Sequence, residues 1–547
     1  MTRRGVWIGG AVIVSVLPGG VASGQSAAGE PLGKVDFDVS CAAPARPEFD
    51  RGLALLHHMT YPRARESFER VAQLDPRCAM AHWGVAMTLF QPLWPTRPGP
   101  RELAQGWKAV EAALALAPDD PRERLLLAAV RAFFEDPSSS DYWQRLRRWE
   151  RAMAEAYRAF PADDDVAALY ALAHLAIAPA DTTSSGHAGR AAEPLLAILA
   201  RNPDHPGAQH YLVHANDTPG RERDSPEVVG RYQVTAPRNP HALHMPTHIY
   251  TRLGDWAAVI RGNELAAEAA LATPAGDSAQ FVWDEFPHAV EYLVYAHLQR
   301  GADSAASAEL TRLRGTPDLQ PTFKTAFHLA STRARYALER GAWREAMAIA
   351  PREPAWLDWD RFTWAEAVGW FARGLGAARE RQPVDAQEGV RRLQALEAAT
   401  ARSGEALFAS NIRILRMEVE AWLAHIEGRS DSSVVLMRQA AELERATPKH
   451  AVTPGPTLPA SELLGDLLLA MKRPAEALEA YRDALALYPR RFNGLLGAAR
   501  AAHAAGDAAR AREYYQALLQ VASEGAGRPA LAEAREFVGR KAEASRD

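Results

Sequence analysis

Several absences narrow the chain before any motif is read. It has only two cysteines in 547 residues, too few to build a thiolate metal cluster. Its net charge is −4, so there is no basic excess to grip a phosphate backbone, and nucleic acid is not an expected partner. It has no GxxxxGK[ST], GxSxG or GxGxxG motif, which removes the common phosphate-cradling and nucleophile-elbow chemistries. Strand-like alternation is scarce, and alanine, leucine, arginine and glutamate dominate, which predicts an all-α fold. No apolar run reaches the roughly 20 residues that a membrane span needs, so no span is expected.

The most apolar run is "VWIGGAVIVSVL", behind Arg3 and Arg4 and ahead of the small residues "GGVASG". That order reads as an export signal over residues 1–24, cleaved after Gly24, and predicts a periplasmic or secreted protein. The arginine pair also admits twin-arginine export. A linker is expected over 25–40. In an oxidising compartment Cys41 and Cys78 leave one disulfide or two buried thiols.

What the chain does have is repetition. "LLGDLLLAMKRPAEALEAYRDALALYP" carries Gly465, Ala477, Tyr481, Ala484 and Pro489 at offsets that repeat in Gly506, Ala511 and Tyr515, and again in Gly52, Ala64, Phe68 and Pro76. Small residues let two helices touch, an aromatic fills the gap, and proline ends the second helix. The pattern resembles the tetratricopeptide repeat, a 34-residue helix–turn–helix unit that stacks into an α-solenoid. Nine or ten helix pairs are expected: an array over 41–443, a proline-rich loop over 444–461, a C-terminal pair of repeats over 462–522, and a capping helix and tail over 523–547. Neighbouring first helices in such a stack favour the disulfide between Cys41 and Cys78. The tryptophans Trp356, Trp359, Trp364 and Trp370 read as packing.

Against this background the histidines cluster. "HYLVHANDTP" and "HALHMPTHIY" place His210, His214, His241, His244 and His248 within 39 residues, in a chain with 17 histidines. His210, His214 and Asp217 are spaced i, i+4, i+7, and His241, His244 and His248 are spaced i, i+3, i+7, so each trio shares one helix face. In the register that the repeat resemblance implies, all six face the concave groove, as do His288, Glu291 and Tyr295 of the following unit. His450, in the proline-rich loop beside Lys449 and Thr453, reads as a surface loop histidine or as a residue that dips into the groove to complete the site. His57 and His58 read as structural, and the run Asp163–Asp165 reads as solvated loop or helix-start charge. Neutral imidazoles suit zinc, copper or iron, and an i, i+4 pair supplies two adjacent ligands.

"CAMAHWGVAM", "HPGAQHYLVHANDTP", "HALHMPTHIYTRLGDW" and "KHAVTPGPTLPASELLGD" resemble a group of exported, histidine-rich bacterial tetratricopeptide-repeat proteins. The resemblance spans about residues 41–520 and implies fold and export, but no reaction. Peptide-binding repeats clamp a carboxylate with Lys, Arg and Asn where this chain has histidines. Three functions stay open: a scaffold binding a peptide, protein or small molecule in the groove; a metal-dependent enzyme using the histidines; and a purely structural interaction module.

Overall fold

The computed structural model describes residues 29–94, 97–136, 141–180, 185–276 and 278–544. The expected signal peptide lies outside them. The described residues form twelve helix–turn–helix pairs and a closing helix, Pro529–Ala544. The only strands among them are the short Pro274–Ala275 and Phe281–Val282, which pair antiparallel. The chain is an all-α, tetratricopeptide-like superhelix, with two or three more pairs than the glycine and alanine signature marks.

The signature does what its residue types dictate. Gly465 and Gly497 flank the Tyr481 ring, where a Cβ would come within 2.7 Å and 2.3 Å of it. Tyr481 is buried between them, and its hydroxyl donates to Asp466. Gly52 and Gly84 receive Phe68 in the same way near the N-terminus. Cys41 and Cys78 are joined in a disulfide, with Cα atoms 4.8 Å apart, as expected from neighbouring first helices.

Three features depart from an open solenoid. The expected linker is packed down from residue 29 onward: Leu32, Phe37 and Val39 are buried, and the Leu32 carbonyl accepts from the His58 ring. The superhelix also curls until its last pairs touch its middle. Gly254, at φ 67°, lies against the Pro489 carbonyl, the Trp256 indole donates to the Arg490 carbonyl, and the Ser523 amide donates to the Arg300 carbonyl. The buried Arg491 guanidinium seals this junction, reaching Tyr295, Glu339 and Glu462.

The third departure is the proline-rich loop. The preceding helix runs through Ala446 and the next begins at Ala460, so the loop is residues 447–459. It runs inside the superhelix. Arg335, fully buried, donates to the carbonyls of Gly455, Pro456 and Thr457, while the Lys449 ammonium pairs with Asp217 at 2.7 Å. The concave face beside the histidines is therefore filled by the chain itself.

Candidate metal centre

Two first helices position the core of the cluster. Pro206–Asn216 starts at a proline behind the His205 cap, whose Nδ1 accepts the Ala208 amide. Proline preset for the first helical turn and a side chain that satisfies a free N–H fix where the helix begins. Pro240–His244 starts the same way behind Asn239, which caps Ala242. It continues as Pro246–Leu253, because Pro246 has no N–H to extend the first ladder. These starts set the phase of every histidine that follows.

The histidines converge. His210, His214 and His241 present ring nitrogens within 4.8 Å of one another, and so do His244, His248 and His288. His210 Nε2 lies 2.9 Å from His241 Nε2 and 3.2 Å from His214 Nε2, and His244 Nε2 lies 3.0 Å from His248 Nε2. His214 and His248 ring centroids are 6.1 Å apart, so the two trios adjoin. All but the partly buried His214 are buried.

The other ring nitrogen of nearly every histidine is spoken for. His210 Nδ1 is 2.6 Å from the His57 carbonyl, and His244 Nδ1 is 2.6 Å from Asn263 Oδ1. Asn263 donates its own amide to the Val259 carbonyl, which fixes Oδ1 toward the histidine. His248 Nδ1 is 2.8 Å from Asp217 Oδ2, and His241 Nδ1 is 3.2 Å from Glu285 Oε1. His288 Nδ1 meets His328 Nε2 at 2.9 Å, and His328 Nδ1 meets Glu291 at 2.5 Å.

These partners decide where the protons sit. A carbonyl or carboxylate oxygen can only accept, so Nδ1 carries the hydrogen in His210, His244 and His248, whereas His241 Nδ1 makes no hydrogen bond that would fix its tautomer. The Glu291–His328 pair passes the same requirement on to His288. Each ring so fixed then turns a bare lone pair at Nε2 toward the others. His244 and His248 face lone pair to lone pair at about 3 Å, and His210 turns its lone pair toward His241 Nε2 at the same separation.

A cation relieves the His244–His248 contact, and a proton there is disfavoured. Burial first, then the neighbouring histidines, pushes His210, His214 and His288 well below the usual imidazole range. His244 is pushed the same way by burial and His248. His248 falls to about 4 through burial and the Lys449 charge, against the pull of Asp217. Two nitrogens bound to one ion at about 2.0–2.1 Å stand roughly 2.9–3.4 Å apart, the separation these pairs have. Imidazoles whose far nitrogens are held by carboxylates and carbonyls are what a metal ion requires around it.

The surrounding charges are balanced. Burial would raise Asp217, but Lys449, Arg252 and His248 outweigh it and hold the carboxyl well below its ordinary value. Glu285 is likewise held down against burial by Lys324 and then His241. Lys324 also lies over the Trp94 ring, 3.7 Å from its centroid. A cavity of about 30 Å³ remains, lined by His214, His241, His248 and His288 together with Trp94 and Val452.

Not every expected site residue reaches the cluster. His450 is half-buried against Trp364 and Phe408, and its Nδ1 accepts the Val452 amide of its own loop. The loop does enter the groove, but Lys449, Ala451 and Val452 meet the site, because the turn at 450–453 points the imidazole into the aromatic wall. Tyr295 lies at the junction with Arg491, away from the histidines. Glu291 acts through His328 and also binds Ser331 and Arg335. Asp165 is not solvated: it is buried and accepts from His57 at 2.8 Å, with His205 Nε2 at 3.3 Å. This His57–Asp165–His205 group holds the backbone that presents the His57 carbonyl to His210.

Sequence reasoning missed Asn263, Glu285, Lys324, His328 and Trp94. Glu285 stands three residues before His288 on one helix face, which was a usable signal. Asn263 and Trp94 come from a second helix and a distant turn, with no local pattern to mark them.

No protein-family model matches the chain, and no curated protein does. Among solved structures it is similar to the crystal structure of yeast Tom70, at 12% identity and TM-score 0.29, over 91% of this chain and 96% of that one. It is also similar to a human IFIT1 dimer with PPP-AAAA, at 13% identity and TM-score 0.36, over 89% and 97%. Scores this low carry no argument about binding, and the helix pairs themselves define the fold.

Proposed function

We propose that the protein is a metalloprotein that holds a transition metal, zinc, copper or iron, in the buried histidine cluster. The observation that supports it is the lone-pair contact of His244 with His248, beside the convergent nitrogens of His210, His214 and His241, deep in a closed fold. Six imidazoles with no cysteine among them, and with the carboxylates on their far nitrogens, suit those ions better than calcium or magnesium, which take oxygen ligands. Export, to the periplasm or beyond, is part of the proposal, and the Cys41–Cys78 disulfide supports it. Elemental analysis of untagged protein beside a His214→Ala/His244→Ala variant tests the reading. Stoichiometric metal in the wild type and a loss in the variant are expected; equal trace metal in both contradicts it.

The scaffold reading keeps one supporting observation. A hollow of about 780 Å³, lined by Gly301, Arg340, Arg379, Tyr481, Asn493 and Arg500, lies open near the C-terminal junction. A peptide, protein or small molecule would bind there rather than beside the histidines, where the loop lies. Peptide binding of unchanged affinity in chelator would favour this role; failure of a peptide array to bind would remove it.

A further inference from the structure

The cluster repeats itself with the solenoid. Counting from the proline that opens or lies near the start of each first helix, His210 and His214 stand at +4 and +8 from Pro206. His241, His244 and His248 stand at +1, +4 and +8 from Pro240, and His288 stands at +1 from Pro287. The first trio is therefore +4 and +8 of one unit with +1 of the next, and the second trio is the same set moved along by one unit. Stacking by a constant step copies the geometry with the residues.

The supports match in kind, although the carboxylate meets the +1 histidine in the first trio and the +8 histidine in the second. Each trio has one histidine anchored to a neutral oxygen, His210 to the His57 carbonyl and His244 to Asn263. Each also has one facing a carboxylate, His241 to Glu285 and His248 to Asp217. Each carboxylate is held by a lysine, Lys324 for Glu285 and Lys449 for Asp217.

The series is also bounded. At the +1 position of the first unit stands Gly207, where a Cβ would come within 2.4 Å of the His57 ring. At +4 and +8 of the third unit stand Glu291 and Tyr295, which Arg335 and Arg491 occupy. Two complete sets exist, and the fold stops at two.

We propose that the cluster is a two-ion centre, one ion on His210, His214 and His241 and the other on His244, His248 and His288, bridged by a small anion of the hydroxide class. This rests on the metalloprotein reading above and extends it. The cavity takes two imidazoles from each set, and its roughly 30 Å³ matches one water-sized ligand. The six ligands are neutral, and the nearby carboxylates already have cationic partners, so two divalent ions bring charge that only an added anion can offset. Paired ions about 3.5–4 Å apart are the arrangement that clamps such a ligand.

Copper(II) provides the probe. Metal-free wild-type protein, titrated with Cu²⁺ and monitored by electron paramagnetic resonance, should take two ions per chain with a coupled, largely silent signal. His214→Ala and His288→Ala should each take one ion and show an isolated-copper spectrum. One ion in the wild type overturns the two-ion assignment and leaves the metalloprotein reading standing. No stoichiometric copper or zinc in the wild type overturns both. Two uncoupled ions overturn the bridge. The wild-type titration decides the count even where a variant fails to fold.

Discussion

The central units, 206–299, and the C-terminal units, 460–521, are built from the same helix pair and filled in opposite ways. Around Tyr481 the contact is dry: two glycines admit one ring, and the single polar atom donates to Asp466. Around His210 and His244 the same inward face carries six imidazoles, with carboxylates and lysines behind them. A dry contact is complete when the helices meet. A face of opposed lone pairs is complete only when something enters it. The solenoid supplies fixed positions, and the residue type at those positions decides whether a unit packs or binds.

The difference can be tested by perturbing each side separately. The largest effect should come where the two regions join. Arg491→Ala leaves Glu339 and Glu462 buried without their cation and should cost about 3–5 kcal/mol in urea unfolding, with or without metal. Chelation should act on the central units alone. Metal held at 1,000 times its dissociation constant stabilises by about 4 kcal/mol, so its removal should lower the free energy of unfolding by that much, and the His214→Ala/His244→Ala variant should not respond. Asn263→Ala frees His244 Nδ1 and should weaken metal binding about 10–100-fold in a competition titration, while leaving the C-terminal units unchanged.

Gly497→Ala should do the reverse. Its added methyl meets the Tyr481 ring, which should cost about 1–3 kcal/mol with no change in metal affinity. The smallest effect is a pH dependence at the base of the loop. Burial, with Glu462 nearby, pushes Glu444 up to about 7, and Glu418 beside it has no hydrogen-bond partner for either oxygen. An acid raised in the folded state binds a proton there that the unfolded chain has released. Stability should therefore fall as pH climbs from about 4.5 through about 7, and Glu444→Gln should flatten that slope in unfolding midpoints.

The pairing of helices and the shared faces of His210 with His214, and of His244 with His248, were legible because both follow from periods of three and four residues. So was the disulfide, once successive first helices were placed side by side. What was hidden depends on contacts over long stretches of chain. Lys449 meets Asp217, and Arg335 meets the 455–457 carbonyls, across more than a hundred residues, with no local pattern to announce either. His450 shows the limit from the other side. Its loop enters the groove where the sequence read at least as well as a surface loop, and which of its side chains faces the histidines is set by the turn at 450–453 and by the wall of Trp364 and Phe408.

The central claim is that imidazole nitrogens surround a metal ion, and X-ray absorption at the metal edge of the untagged, metal-replete protein tests it most directly. The account predicts a nitrogen shell at about 2.0–2.1 Å with imidazole multiple scattering and no sulfur shell. Protein that stays metal-free when offered zinc or copper, or metal surrounded by oxygen without imidazole scattering, would contradict it.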